Sequence, residues 1–166
     1  MVNVHERKFV SADTDKCVGC QTCELICSYN KEKAFNPTKS RIRVVRVNQL
    51  TNMAVNCRLC EEPACIQACP REALTQSEET GTITVDPDKC NGCGWCIEAC
   101  DYGAIMVHPE TKTVYVCDLC KDNADGPQCV KWCPEEALTV VTSDLLAQKA
   151  RIGAVKRLFQ QAKRKE

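Results

Sequence analysis

The sequence predicts an α+β fold assembled from small repeated units, short helices and hairpins built around loops of thiols, with one longer helix at the C-terminal end. Three observations carry this prediction. Cysteine accounts for 16 of 166 residues while aromatic residues account for only 5%, so the chain is organised around groups that bind rather than around a large apolar core. The sixteen cysteines fall into four groups of four with similar flanks, and none is left over; such self-similarity is an internal repeat. The last stretch, SDLLAQKARIGAVKRLFQQAKRKE, has no cysteine and places apolar residues at helical spacing.

The first group is Cys17, Cys20, Cys23 and Cys27, spaced C-x2-C-x2-C-x3-C in FVSADTDKCVGCQTCELICSYN. In the 29-residue spacer that follows, RIRVVRV at 41–47 alternates like a strand. Without Gly or Ser runs, this spacer reads as part of the body and not as a flexible linker. The second group is Cys57, Cys60, Cys65 and Cys69, in CRLCEEPACIQACPREAL, where the gap before the third thiol has grown to four residues. The third is Cys90, Cys93, Cys96 and Cys100, in ITVDPDKCNGCGWCIEACDYGAIMV at 83–107. TITVD ahead of it predicts a strand, and AIMVHPETKTVYV behind it predicts a hairpin turning at His108 to Lys112. The fourth is Cys117, Cys120, Cys129 and Cys133, in CDLCKDNADGPQCVKWCPEEALTV, with an eight-residue gap rich in Asp, Asn and Gly that reads as a surface loop. Each unit therefore predicts an alternating stretch, a thiol loop, a short helix ending at the last cysteine, and another alternating stretch. The second and fourth close alike, in PREALT from Pro70 and PEEALT from Pro134.

Three thiols in one tight loop with a fourth one helical turn on form the run that holds a [4Fe-4S] cube in bacterial ferredoxins. The loop can take three corners of a cube while the fourth thiol points away, towards a second one. Gly92 and Gly94 let the backbone approach and turn without a Cβ clash, leaving amides free to hydrogen-bond sulfur and help set the reduction potential. Two other uses of thiols compete. A disulfide scaffold needs an oxidising compartment, and MVNVHERKFV shows neither an apolar export core nor a twin arginine. Four-thiolate zinc sites would account for the pairs Cys57 with Cys60 and Cys117 with Cys120. They do not need Cys23 or Cys96 as a third thiol in the same loop, and the proline after Cys69 and Cys133 also matches the ferredoxin run. Four [4Fe-4S] clusters are the expected cofactors. No run approaches the 18 or more apolar residues of a membrane helix, so a soluble, cytoplasmic chain is expected, with membrane attachment through a partner left open.

The order of the groups, compact first and third, C-x2-C-x4-C-x3-C-P second and C-x2-C-x8-C-x3-C-P fourth, resembles the four-cluster ferredoxin subunits of the dimethyl sulfoxide reductase superfamily over roughly residues 8–142. Relatives of that kind serve formate dehydrogenases, hydrogenases, carbon monoxide dehydrogenase and tungsten aldehyde oxidoreductases. The resemblance implies a ligand exchange. Cys17, Cys20, Cys23 and Cys133 would hold one cluster and Cys117, Cys120, Cys129 and Cys27 its pair. Cys57, Cys60, Cys65 and Cys100 would hold a third, and Cys90, Cys93, Cys96 and Cys69 the fourth. The fold implied is a set of ferredoxin-like repeats in two nested two-cluster modules: an outer one from 1–47 and 101–142, an inner one from 48–100, followed by a C-terminal amphipathic helix at 143–166. Two departures stand out. Asp101 follows the third group where relatives often have proline, and a carboxylate facing that cluster would disfavour an added electron. No membrane anchor of the respiratory kind is appended.

A row of one-electron centres makes a wire, and no catalytic residue is expected: the sequence holds no nucleophile elbow, phosphate loop or HExxH. His5 and His108 read as exposed rather than metal-ligating. Trp95 precedes Cys96 and Trp132 precedes Cys133; packing against a cluster is the expected role of both rings, shortening of an electron path the rival. The pairs Glu61 with Glu62 and Glu135 with Glu136 read as solvated surface.

The final segment opens with Ser143 or Asp144 as a cap and sets Leu145, Ile152, Val155, Leu158 and Phe159 near helical spacing among basic residues. From Ser143 onward there are seven Lys or Arg against two Asp or Glu, a net +5; the whole chain is formally 0, so the body is −5. Folding back on that acidic body competes with docking to another subunit; membrane surface and nucleic acid rank below both. If the acidic body belongs to the next copy, the contact is head-to-tail and runs on as rings or filaments. The partners expected are thus a molybdenum or tungsten pterin catalytic subunit, such as an aldehyde oxidoreductase or formate dehydrogenase, a flavin or NAD subunit, and a second copy through 143–166. No nucleic acid and no membrane insertion are expected. A hydrogenase or carbon monoxide dehydrogenase wire is the alternative, and a structural zinc adaptor the remote one.

Overall fold

A computed structural model describes residues 7–48 and 51–163. In chain order it contains β1 (Phe9–Ala12), α1 (Thr22–Glu32), a 3-10 turn (Pro37–Lys39), β2 (Arg43–Arg46), β3 (Asn52–Val55), α2 (Ala64–Gln67), β4 (Leu74–Gln76), β5 (Ile83–Val85), α3 (Trp95–Glu98), β6 (Met106–Val107), β7 (Val114–Tyr115), α4 (Gln128–Lys131), β8 (Leu138–Val141) and α5 (Ser143–Lys163). This is a small α+β fold of short hairpins and short helices.

Every strand has a single partner, and all four pairs are antiparallel: β2 with β3, β4 with β5, β6 with β7, and β1 with β8. The hairpin expected at 104–116 forms, with Met106 opposite Tyr115 and Val107 opposite Val114, and its turn is closed by the Lys112 amide on the His108 carbonyl at 3.0 Å. The alternation at 41–47 becomes β2. Only β1 and β8 pair across nearly the whole chain, Phe9 opposite Val141 and Ala12 opposite Leu138.

The repeat extends to the backbone. The residue before the second cysteine of each group is left-handed: Gly19, Leu59, Gly92 and Leu119 have φ of 72°, 52°, 68° and 56°. Three residues after the last cysteine, Glu72, Gly103 and Glu136 are left-handed as well, with φ of 50°, 58° and 48°. That second turn throws the chain out of the helix and into the next strand. In the first group the equivalent residue is Asn30, and it stays helical. The short helix expected to end at Cys27 therefore runs on to Glu32: the first group has neither the proline that follows the second and fourth (Pro70, Pro134) nor the left-handed Gly103 that turns the chain in the third, where Asp101 replaces the proline.

Apolar burial falls into two clusters. One joins Val10, Cys23, Cys27, Ile42, Ala54, Cys129 and Leu138. The other joins Cys57, Leu59, Cys65, Ala73, Leu74, Ile83, Cys96, Ala104, Ile105, Val114 and Val116. Thiols are part of both, so burial of these cores and placement of the sulfur atoms are one process.

The C-terminal helix begins where expected but with a different cap. Thr142 supplies it: its hydroxyl accepts the Leu145 amide at 3.4 Å and its carbonyl the Leu146 amide at 3.0 Å, while Ser143 is already the first helical residue. The helix does not fold back on the body. Leu145, Ile152, Val155, Leu158 and Phe159 are between 49% and 67% exposed; Lys149 reaches back to the Thr139 hydroxyl at 3.1 Å. Among the described residues no helix is long and apolar enough to cross a membrane.

Candidate metal centres

The thiols gather into four sets. Cys17, Cys20, Cys23 and Cys133 line one cavity with Val44, Ala54 and Leu138. Cys27, Cys117, Cys120 and Cys129 line a second with Ile42 and Asn56. Cys69, Cys90, Cys93 and Cys96 line a third with Leu74 and Val114. The three cavities are similar in size. Cys57, Cys60, Cys65 and Cys100 form the fourth set, near enough that each of the first three has its ionisation opposed by Cys100. In every set three thiols come from one sequence group and the fourth from another.

The chemistry of these walls suits a metal-sulfur group. Burial, reinforced by neighbouring thiolates, pushes Cys57 and Cys117 up to about 12 and Cys65 up to about 11. Burial together with the Glu24 carboxylate does the same at Cys23, to about 12. Cys129 is also raised by burial. Such thiols keep their protons at neutral pH unless a cation displaces them, and iron is a cation that does so. Cys69 moves the other way: burial, the largest single influence, acts to raise it but is outweighed by the combined backbone N–H groups of Ala73, Arg71, Leu74 and Glu72.

Backbone amides point at sulfur in every set; in the first, the Glu24 N–H acts on Cys23. The Arg41 amide donates to Cys27 Sγ at 3.3 Å, Leu59 to Cys57 at 3.4 Å, Ala104 to Cys100 at 3.4 Å, Ala73 to Cys69 at 3.3 Å and Val114 to Cys90 at 3.4 Å. Asn30 adds its side-chain amide to Cys120 Sγ at 3.7 Å. These donors are not the Gly92 and Gly94 amides suggested by sequence. Gly92 serves another close approach: a Cβ there would collide with the Lys112 carbonyl oxygen, at a φ of 68°. Gly94, at φ 89°, has open space around it and caps α3 in the left-handed conformation. Among the described residues, no three His, Cys, Asp or Glu side chains converge on one point as a single ion requires; the thiols stand around the rim of a space instead.

Charged residues bind the elements that carry the thiols. Glu24, 2% exposed, accepts the Val44 amide at 2.6 Å and pairs with Arg43 at 3.1 Å, tying α1 to β2. Asp118, next to Cys117, accepts from Lys31 at 2.7 Å, Arg41 at 2.8 Å and the Cys120 amide at 3.1 Å. Neither role is visible in the sequence, where both carboxylates look like ordinary surface charge.

Several expectations are corrected. His108 is not an exposed side chain: it is 12% exposed, edge-on to Tyr115, and its Nδ1 accepts the amides of Glu110 and Thr111 at 3.3 and 3.2 Å, so it shapes the hairpin turn. His5 lies outside the described residues. Trp95 and Trp132 are 65% and 57% exposed, not enclosed by packing. Glu61, Glu62, Glu135 and Glu136 are exposed as expected. Asp101 is exposed too, yet its charge reaches Cys60 and helps raise that thiol, after burial and Cys100.

A family model described as a 4Fe-4S dicluster domain matches residues 48–143. The aliphatic sulfonate oxidoreductase, polyferredoxin-like subunit, of Pyrococcus furiosus is 38% identical over 144 residues, covering 85% of this chain and 82% of the relative. Electron transport protein HydN of Escherichia coli is 32% identical over 163 residues, covering 85% and 91%. Among solved structures, a chain of the active site complex BamBC of benzoyl coenzyme A reductase, as isolated, is 30% identical at a TM-score of 0.49, covering 81% of this chain and 76% of that one.

Proposed function

The chain belongs to the 4Fe-4S dicluster family of ferredoxin-like electron-transport subunits, and from that premise we propose that it relays single electrons through four [4Fe-4S] clusters for a multisubunit oxidoreductase. One observation carries the count of four: sixteen thiols gather in four sets of four, with none outside them. Cys17, Cys20, Cys23 and Cys133 hold one cluster and Cys27, Cys117, Cys120 and Cys129 its pair. Cys57, Cys60, Cys65 and Cys100 hold the third, and Cys69, Cys90, Cys93 and Cys96 the fourth. Each group, when bound, takes or gives one electron. The residues of this chain hold it in place, aim amides at its sulfur ligands and exclude water from its buried side. The spread of thiols around a cavity supports a polynuclear group over a lone zinc ion.

The modules are nested in this reading, an inner pair of clusters enclosed in sequence by an outer pair. The two apolar cores support nesting with shifted bounds, the inner one drawing on 57–116 and so taking in the hairpin expected with the outer module, the outer one on both ends of the body together with Ala54. The partner is a catalytic subunit, with a molybdenum or tungsten pterin the favoured chemistry and a flavin or NAD subunit as the further acceptor. The name of the Pyrococcus furiosus relative, a polyferredoxin-like subunit of an oxidoreductase, supports a catalytic partner. The chain has no catalytic role of its own, and it works in the cytoplasm. The exposed apolar side of α5, in a segment 143–166 of net charge +5 beside a −5 body, supports head-to-tail contact with a second copy and, repeated, a conducting filament.

Anaerobic iron, sulfide and metal analysis of the native complex tests the reading. About sixteen iron and sixteen sulfide per chain are expected, with molybdenum or tungsten in the same fraction. About four zinc and no sulfide would withdraw it.

A further inference from the structure

The overrun of α1 past Cys27 delivers two side chains to the second set of thiols. Asn30 stands where the other three groups turn left-handed, three residues after their last cysteine. Because it stays helical, its side-chain amide comes to 3.7 Å from Cys120 Sγ, with Nδ2 donating. The donors described above at the other sulfurs are backbone N–H groups, which no substitution removes. Asn30 is a side chain, and its amide can present either a donor or an acceptor. The orientation is fixed from the far side, where Asn30 Oδ1 accepts Asn123 Nδ2 at 3.4 Å. Asn123 is fixed in turn: its Oδ1 accepts the Asp125 amide at 3.0 Å, its own amide donates to the Cys120 carbonyl at 2.8 Å, and its carbonyl accepts the Gly126 amide at 3.0 Å. Asp125, Asn123 and Asn30 thus form one chain of donors, each pointing towards sulfur. The eight-residue gap between Cys120 and Cys129, which reads as a surface loop in the sequence, supplies the outer two links.

We propose that Asn30 sets the reduction potential of the group held by Cys27, Cys117, Cys120 and Cys129, and that Asn123 is the positioning residue that keeps the Asn30 donor on Cys120. The proposal rests on the electron-relay reading above. When this group takes one electron from a neighbouring group, which is oxidised in the step, part of the added negative charge falls on the ligand sulfurs. A donor to sulfur then stabilises the reduced form more than the oxidised one. Asn30 therefore makes this group easier to reduce. Two features strengthen the effect. Cys27, Cys120 and Cys129 are buried, so little water screens the contact, and along a chain of hydrogen bonds each link polarises the next. Asp118, which accepts the Cys120 amide at 3.1 Å, would oppose an added electron, but Lys31 and Arg41 pair with it at 2.7 and 2.8 Å. Lys31 arrives on the same extra turn of α1 as Asn30, so the overrun brings a donor and a compensating cation together.

Anaerobic redox titration of the full-length, iron-loaded chain, read by electron paramagnetic resonance, tests this. Cys120→Ser marks the signal that belongs to the group, and iron and sulfide content are measured on each protein. Asn30→Leu is expected to move that midpoint to more negative potential and to leave the others in place. About tenfold less of the group is then reduced at a fixed potential, which is about 59 mV for one electron. Asn30→Asp, similar in shape but an acceptor with a negative charge, is expected to move it further the same way. Asn123→Ala, whose lost side chain touches no ligand, is expected to move the same midpoint in the same direction by less. Unchanged midpoints in both Asn30 variants at full iron content, or a common movement of every midpoint, overturn the proposal. A shift in Asn30→Leu with none in Asn123→Ala overturns the positioning role. Loss of iron from the group in both Asn30 variants also overturns it, since a residue that only holds the fold behaves in that way. A wild-type chain without iron would overturn the relay reading itself.

Discussion

The carboxylate of Glu24 accepts the backbone N–H of Val44 at 2.6 Å, so a helix that carries Cys23 and Cys27 and a strand that walls the cavity of Cys23 are joined through one buried side chain. Its other oxygen meets Arg43. Glu24→Ala leaves an amide and a guanidinium without their acceptor and is expected to cost about 3 kcal/mol. Glu24→Gln keeps an acceptor for Val44 and is expected to cost about 1 kcal/mol. The urea concentration at which the visible absorbance bleaches reads both.

Asp118 gives a pH test. Burial acts to raise its pKa, but the hydrogen bond from Lys31 and the charge of Arg41 outweigh burial and hold it below the ordinary carboxylate value. A depressed folded pKa contributes stability above the unfolded value, and that contribution is lost as pH falls through the folded one. The wild type is expected to exceed Asp118→Asn by about 2 kcal/mol at pH 7. The gap should stay constant down to about pH 5 and then close as the solution becomes more acidic. Comparing urea midpoints of the two proteins across this range cancels the acid sensitivity they share.

Gly92 and Gly94 separate conformational freedom from space. Both have positive φ, but only at Gly92 does an added Cβ run into backbone, the carbonyl of Lys112. Gly92→Ala is expected to lose the cluster proposed for Cys69, Cys90, Cys93 and Cys96, which on the proposed count is about four of sixteen irons per chain. Gly94→Ala is expected to keep its iron and lose only about 1 kcal/mol of stability.

Iron removal should be visible in tryptophan emission. Trp95 and Trp132 each adjoin a ligand thiol while standing mostly in solvent. Loaded protein is expected to emit weakly, because the clusters absorb in the emission range, and chelation is expected to restore intensity with little change in wavelength. A blue-shifted maximum in the loaded protein would show rings packed away from water and contradict the exposure seen here.

Deleting residues 143–166 probes the exposed helix. A lower mass by light scattering at low salt is expected for the truncated chain, with iron content unchanged; equal masses would remove contact between copies through α5.

Much of this architecture was legible because the thiol spacing repeats. The turn at His108 to Lys112 and the strand within 41–47 follow from local pattern alone, and so does the start of α5. What escaped notice depends on distant parts of the chain. Nothing in Phe9–Ala12 names Leu138–Val141 as its partner, and the burial of Glu24 and Asp118 depends on Arg43, Lys31 and Arg41 arriving from other elements. The overrun of α1 past Cys27 does not follow from Ser28 alone, because the third group lacks the proline as well, with Asp101 in its place, and its helix still ends at Glu98. His108 looked exposed because it sits in a turn; the ring of Tyr115 that covers it comes from the returning strand.

The pairing of β1 with β8 sets a timetable for biosynthesis. Translation delivers Phe9–Ala12 early, but its hydrogen-bonding edge has no mate until Leu138–Val141 has emerged from the ribosome. Residues 57–116, which contain all the buried members of one apolar core, can be finished first. Cys17, Cys20 and Cys23 are made before any of these and wait longest, since Cys133 completes their set. The first thiols synthesised are therefore the last to be enclosed, and they are the ones a nascent chain must shield from oxygen for the greatest time.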